Sequence, residues 1–204
     1  MANITKEALI AFEKKISETY CAGKIRAPIH LSDGNEDQLI EIFKNIKPTD
    51  WVFSSWRSHY HALLHGIDPD ALELDINAGR SITLAYPDHK FYTSAIVGGI
   101  IPIALGVALG NKRSGSTDHV YCMIGDMTSE TGGAYEAIKY AFNFELPITF
   151  VIEDNTQSVG TPTYTVWGSE DNGCFWKNIP CPNVKYYSYT KTWPHVGAGK
   201  RVTF

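Results

Sequence analysis

Two positions, one acidic and one amide, carry the clearest chemistry in this sequence. Asp126 closely follows the short apolar run 120–124, and Asn155, 29 positions further on, follows a second such run, 148–152. Asp126 offers a hard anionic oxygen and Asn155 a neutral amide oxygen. With a backbone carbonyl just past Asn155, that donor set suits Mg²⁺ or Ca²⁺, which bind oxygen and leave positions for phosphate oxygens. Gly132 and Gly133 stand where a helix begins after the first run, and free N–H groups at a helix N-terminus favour a phosphate. Taken alone, Asp126 could equally cap a turn and Asn155 sit in an ordinary loop.

His59, His61 and His65 are the next candidates. On a helix, residues two apart do not share a face, so a metal cluster fits poorly. His59 and His61 either face a phosphate or substrate, as proton-transfer groups, or are satisfied structural histidines. His89 and His195 are further candidates for proton transfer. Cys21, Cys122, Cys174 and Cys181 form no Cys-x-x-Cys pair, and the nearest two are seven apart. That spacing does not suit a zinc knuckle. Cys122 reads as a small buried hydrophobe, and all four read as reduced thiols of a cytoplasmic protein.

The elements that must position these residues follow from periodicity. Leu9, Phe12, Ile16 and Tyr20 predict an amphipathic helix over 4–20. Asp33 and Glu36, ahead of Leu39, Ile40 and Phe43, predict a capping box that opens a second helix, ended by Pro48. Residues 51–55 read as a strand, 58–64 as a helix closed by Gly66, and 68–77 as a helix opened by Asp68-Pro69. Residues 78–94 read as irregular. The apolar stretch 95–109 is shorter than the ~20 residues of a membrane span. It carries Gly98, Gly99, Pro102 and Gly106 and predicts a helix buried in a tightly packed core. Residues 131–144 predict a helix with Ala134, Ile138, Ala141 and Phe142 on its inner face. The two apolar runs flanking it complete a strand–helix–strand unit. The fold class is therefore α/β, a three-layer parallel sheet with helices on both faces.

Composition bounds the rest. The chain has 204 residues, 18 Lys and Arg against 22 Asp and Glu, a net charge of −4, and 44% apolar residues. This is a globular balance, without the basic face of a general nucleic-acid binder. The charged opening 1–18 does not read as a signal peptide, and no membrane span is expected. Five Trp, eleven Tyr and nine Phe need a large core, a partner surface, or both. The segment from 158 on, with a possible strand at 184–189, reads as a surface against another chain or as an extended tail on its own domain.

Several motifs in order resemble one family. Gly125-Asp126-Met127, Glu136-Ala137, Leu146-Pro147 and Glu153-Asp154-Asn155 resemble the thiamine diphosphate motif, which begins Gly-Asp-Gly and closes with Asn-Asn. The segment 28–36, Pro-Ile-His-Leu-Ser-Asp-Gly-Asn-Glu, resembles the His-Leu-Ser-x-Gly-x-Glu stretch of the α subunits of 2-oxo acid dehydrogenases. Arg57-x-His59-x-His61 resembles their Tyr-Arg-x-His stretch. Phe91-Tyr92 with Ile96-Val97-Gly98 and Pro102 resembles their Phe-Tyr-Gly-Gly-x-x-Ile-Val-Gly segment. The resemblance covers roughly residues 26–160. Met127 stands at the third residue of Gly-Asp-Gly in place of its second Gly, Asp154 replaces the first Asn of the closing pair, and Trp56 the family's Tyr.

The resemblance implies a thiamine diphosphate-binding fold of the diphosphate-binding type. It would form one domain over 1–204, with 160–204 as an aromatic-rich tail against a partner. It implies that Asp126, Asn155 and the carbonyl of Gln157 ligate Mg²⁺ or Ca²⁺. Gly125, Met127 and Thr128 would hold the diphosphate, the latter two through main-chain N–H groups. Arg57 would pair with a diphosphate oxygen, and Trp56 would stand beside it. Ala95 and Val97 would offer backbone groups to the aminopyrimidine, with His59 and His61 as catalytic histidines. In that family the activating Glu comes from a pyrimidine-binding domain, and no second sheet domain is read in this sequence to supply it. The resemblance thus implies a separate β subunit, an α₂β₂ assembly, and decarboxylation of a 2-oxo acid with acyl transfer. The alternatives are a split transketolase-like carbon–carbon ligase or lyase acting on a ketose, and a non-catalytic partner subunit.

Overall fold

The computed structural model describes residues 4–168 and 174–202. In chain order the helices are α1 (Lys6–Cys21), α2 (Glu36–Phe43), α3 (His59–Leu64), α4 (Pro69–Asn77), α5 (Ile100–Ser114), α6 (Asp126–Ser129), α7 (Gly132–Asn143) and α8 (Thr163–Trp167). The strands are β1 (Trp51–Ser54), β2 (Ala85–Tyr86), β3 (Phe91–Thr93), β4 (Val120–Gly125), β5 (Ile148–Asp154), β6 (Gln157–Ser158), β7 (Thr161–Pro162) and β8 (Val184–Ser188). The described residues divide into two compact units. The first draws on Met1–Pro48, Trp56–Ala95 and Thr190–Phe204, the second on Thr49–Ser55 and Ile96–Tyr189.

The first unit is built on helices. Thr5 caps α1, its hydroxyl accepting from the Ala8 N–H at 3.3 Å, and the stripe Leu9, Phe12, Glu13, Ile16 is buried. The 3–4 spacing of that stripe places it on one face, against α2, α3 and α4. α4 opens at Asp68, whose carboxylate accepts from the N–H groups of Asp70 and Ala71 at 3.0 Å each, with Pro69 preset for the first turn. The expected capping box does not form. Asn35 occupies the cap of α2, and Asp33 instead accepts from the backbone N–H groups of Thr192 and Trp193. Residues 78–94 are not wholly irregular: β2 and β3 pair as a short antiparallel hairpin. The end of the chain returns to this unit, with the Gly197 N–H donating to the Ile29 carbonyl at 2.9 Å.

The second unit is the α/β part. Four parallel strands run in the order β1-β4-β5-β8. β4 is buried along nearly its whole length, the signature of a parallel strand covered on both sides. Each fully buried aliphatic side chain there contributes about 1.5–3 kcal/mol. The crossover from β4 to β5 passes through α7, which buries Ala134, Ala137, Ile138 and Ala141. Phe142, expected inside, is 52% exposed. It lies at the edge of that stripe, one turn past Ile138, where the helix face turns outward.

The apolar helix is also corrected. α5 starts at Ile100, not at residue 95, and it is not buried all round. Only Ile100, Ile101, Ala104 and Ala108 are buried, while Ile103 is 53% exposed. Residues 95–99 remain outside it as an approach containing Gly98 at φ 71°.

Candidate functional site

The register of β4 and β5 places the two strand ends side by side. The last rung pairs Gly125 with Glu153, so Asp126 and Asp154-Asn155 leave adjacent strands at the same carboxyl edge. That edge is where parallel sheets bind ligands. Asp126 is the first residue of α6, with Gly125 extended before it. It is 2% exposed, and its Oδ2 accepts from the Thr163 hydroxyl. Burial pushes its carboxyl up to about 7, the Asp154 charge adds to the rise, and the Thr163 hydroxyl and Met127 N–H oppose it.

The neighbouring groups are differently engaged. Asp154 accepts from the Thr156 N–H at 2.7 Å and from the Tyr186 hydroxyl. The Asn155 Oδ1 accepts from the Gln157 N–H at 3.1 Å, and its Nδ2 donates to the Tyr189 hydroxyl at 3.3 Å. This turn leaves Thr156 at φ 63°, a left-handed conformation unusual for a β-branched residue. Met127 is helical and keeps an ordinary φ, so the loss of the motif's second Gly costs the backbone nothing here. Its sulfur accepts from the Trp167 indole N–H at 3.2 Å. Thr128 is buried beside it.

Gly132 and Gly133 open α7, and a Cβ on either would meet nothing within 4 Å. That open space at the helix start is compatible with a phosphate, since first-turn N–H groups have no partner within the helix. Val97 is 58% exposed. With Gly98, Pro102, Thr131, Gly133 and Tyr140 it lines a groove of about 630 Å³ along α5 and α7.

The remaining expected residues, apart from Ala95, which ends one of its segments, cluster within the first unit. Arg57 donates to the Leu31 carbonyl and, at 3.2 Å, to the His195 carbonyl. Trp56 packs against His30 and His195 with ring centroids 5.9 and 6.4 Å away. His30 and His195 meet edge-on at 4.9 Å. Burial, then Arg57, then His195 and His59 hold His30 down at about 3. Burial followed by Arg57 and Lys191 likewise lowers His195.

The two expected catalytic histidines point inward. His59 is 0% exposed. Its Nδ1 lies 3.0–3.1 Å from the Glu13 carboxylate and its Nε2 2.9 Å from the Ser81 hydroxyl. His61 is 1% exposed and stacks on Phe43. Both nitrogens of His59 are committed, so no ring atom is left for a substrate. The open alternative of satisfied structural histidines is what the geometry favours. Sequence reasoning missed Thr163, Glu13 and Ser81, which lie 37, 46 and 22 positions from the residues they serve. No local spacing signals such pairs.

The donor set suits a divalent cation held partly by its ligand. Asp126 is a buried carboxylate whose charge burial disfavours, and a cation would relieve that. Among the described residues, no group of three or more His, Cys, Asp and Glu could hold a metal ion. One carboxylate, one amide and one carbonyl leave positions for phosphate oxygens, as Mg²⁺ sites commonly do. Among the same residues, no helix is long and apolar enough to cross a membrane.

Residues 5–171 match the family described as dehydrogenase E1 component. The pyruvate dehydrogenase E1 component subunit alpha of Rickettsia prowazekii is 32% identical over 160 residues, covering 74% of this chain and 49% of that protein. The subunit of the same name from Zymomonas mobilis is 30% identical over 161 residues, covering 74% and 46%. The chain thus spans about half the length of the curated relatives it matches. A solved structure from Mycobacterium smegmatis, titled as a thiamin diphosphate-dependent enzyme, is 20% identical, with a TM-score of 0.42 over 65% of this chain and 22% of that one. That likeness is too slight to carry the fold, which the strand pairings establish on their own.

Proposed function

Because the chain belongs to the dehydrogenase E1 component family, we propose that it is the diphosphate- and magnesium-binding α chain of a two-chain thiamine diphosphate enzyme. Its substrate would be a 2-oxo acid, which it decarboxylates before passing on the acyl group. The observation that supports this most directly is Asp126 and Asn155 at the shared carboxyl edge of β4 and β5.

Asp126, the Asn155 amide oxygen and the Gln157 carbonyl hold Mg²⁺. Gly125, Met127 and Thr128 present main-chain groups to a diphosphate. Arg57 supplies a planar guanidinium to a phosphate oxygen, a geometry that Lys cannot reproduce. Trp56 offers apolar surface and an indole N–H where the family has a phenol. The backbone of Ala95 and Val97 orients the aminopyrimidine. His59 is not assigned a proton-transfer step, since both its nitrogens are spent inside the unit. Thiamine diphosphate, when bound, supplies the electron sink for decarboxylation. A β chain supplies the activating Glu, giving an α₂β₂ assembly.

Calorimetry with thiamine diphosphate tests the reading. Wild-type chain, with its β partner present, should bind it only when Mg²⁺ is added. Asp126→Ala should abolish that binding while the circular dichroism spectrum persists. Undiminished binding by Asp126→Ala, or none by the wild-type pair, refutes the proposal.

A further inference from the structure

Within the first unit, three buried polar side chains form a line: Glu13 of α1, His59 of α3 and Ser81 of the loop after α4. An ionised carboxylate can only accept, so beside one, His59 carries a proton on Nδ1, while Nε2 lies within hydrogen-bond distance of the Ser81 hydroxyl, which can donate or accept. The order acid–His–Ser is that of a nucleophilic relay. Yet Ser81 and His59 are 0% exposed and Glu13 1%, so no external substrate reaches the hydroxyl. Any role the line has is played inside the protein.

Its connections lead to Arg57. The Glu13 carboxylate also accepts from the Ser32 N–H at 2.8 Å, and Leu31, one residue earlier, carries the carbonyl that accepts from Arg57. His59 stands two residues beyond Arg57. One carboxylate therefore ties down both the acceptor of the guanidinium and the chain that bears it. A second tie runs in parallel: Tyr60 donates to Glu36 at 3.0 Å, and Glu36 also accepts from the Gly34 N–H at 3.0 Å. Phe12 packs edge-on against His59 at 6.4 Å, which keeps water from the line.

We propose that Glu13, His59 and Ser81 form a buried brace that positions the Arg57 guanidinium. The ligand-binding part of this inference rests on the functional reading, in which Arg57 meets a phosphate oxygen. The positional part stands on the geometry alone.

Two measurements on the full chain separate those parts. In ¹⁵N arginine side-chain spectra, wild-type Arg57 should show slow rotation of its guanidinium. Glu13→Gln should speed that rotation at least tenfold, and Ser81→Ala, the milder change, should speed it less. Calorimetry with inorganic pyrophosphate and Mg²⁺ should show binding weakened about tenfold by Glu13→Gln. In an Arg57→Lys background, Glu13→Gln should weaken it no further, an interaction that general loosening of the fold does not produce. If Glu13→Gln does not fold, Ser81→Ala carries both measurements. Unchanged Arg57 dynamics in a folded variant, or equal weakening with and without Arg57, overturns the brace. Altered Arg57 dynamics with no pyrophosphate binding by wild type in the presence of its β partner leaves the brace standing and overturns the functional reading.

Discussion

His30 shows most plainly what surroundings do to a side chain. It is buried, its Nδ1 has no hydrogen-bond partner, and Arg57, His195 and His59 all disfavour its charged form. Its folded value lies near 3, against 6.5 for the free group. Above pH 6.5 neither folded nor unfolded chain binds a proton at this site, and the stability is intact. As pH falls from 6.5 toward 3, the unfolded chain takes the proton and the folded chain cannot. Stability is then lost at up to about 1.4 kcal/mol per pH unit. His30→Gln should flatten this acid limb. Urea midpoints at pH 7 and pH 4.5 should converge in the variant relative to wild type, and an equal acid loss in both proteins would rule the site out as its source. The motif 28–36 was legible in the sequence as a resemblance. The neutral state of His30 was not, because it arises from Arg57 and His195, brought in from distant positions.

Elements were most legible where burial dictates composition. β4 and β5 stand out as apolar runs because a parallel strand covered on both faces admits little else. α4 was legible because Asp68-Pro69 meets the demands of a helix start locally. Errors fell where tertiary contacts outrank local signals: Asp33 is drawn to Thr192 and so does not cap α2. The β6–β7 turn carries a local conflict that periodicity could not reveal. Val159 sits at φ 57° and is 62% exposed, so its side chain bears left-handed strain with little packing in return. Asn tolerates that conformation. Val159→Asn should therefore stabilise the chain by about 1 kcal/mol, raising Tm by about 2–4 °C. A calorimetric scan that shows no rise would mean the turn relaxes at no cost.

At the scale of the whole molecule, the aromatic and apolar excess divides between core and surface. Trp176 is buried, its indole N–H donating to the Ser129 carbonyl at 3.0 Å. Ile103 on α5 and Tyr140 and Phe142 on α7 remain exposed; Tyr140 lines the groove that contains Val97, while Phe142 lines another with Ile138 and Trp176. Single exposed apolar residues need no explanation, but a groove lined by Val97, Pro102 and Tyr140, with exposed Ile103 on the same helix as Pro102, marks α5 as a candidate contact surface. The proposed β chain is the occupant that the functional reading supplies. Ile103 is more than half exposed and on the open face of α5, so Ile103→Glu should leave the fold within about 0.5 kcal/mol of wild type. Burying that carboxylate under a partner would carry an uncompensated charge into the interface. Co-expressed with a pyrimidine-domain chain, wild type should elute as a heteromer by light scattering. The variant should elute as separate chains with an unchanged melting curve. A heteromer of undiminished stability in the variant would place the partner elsewhere on the molecule.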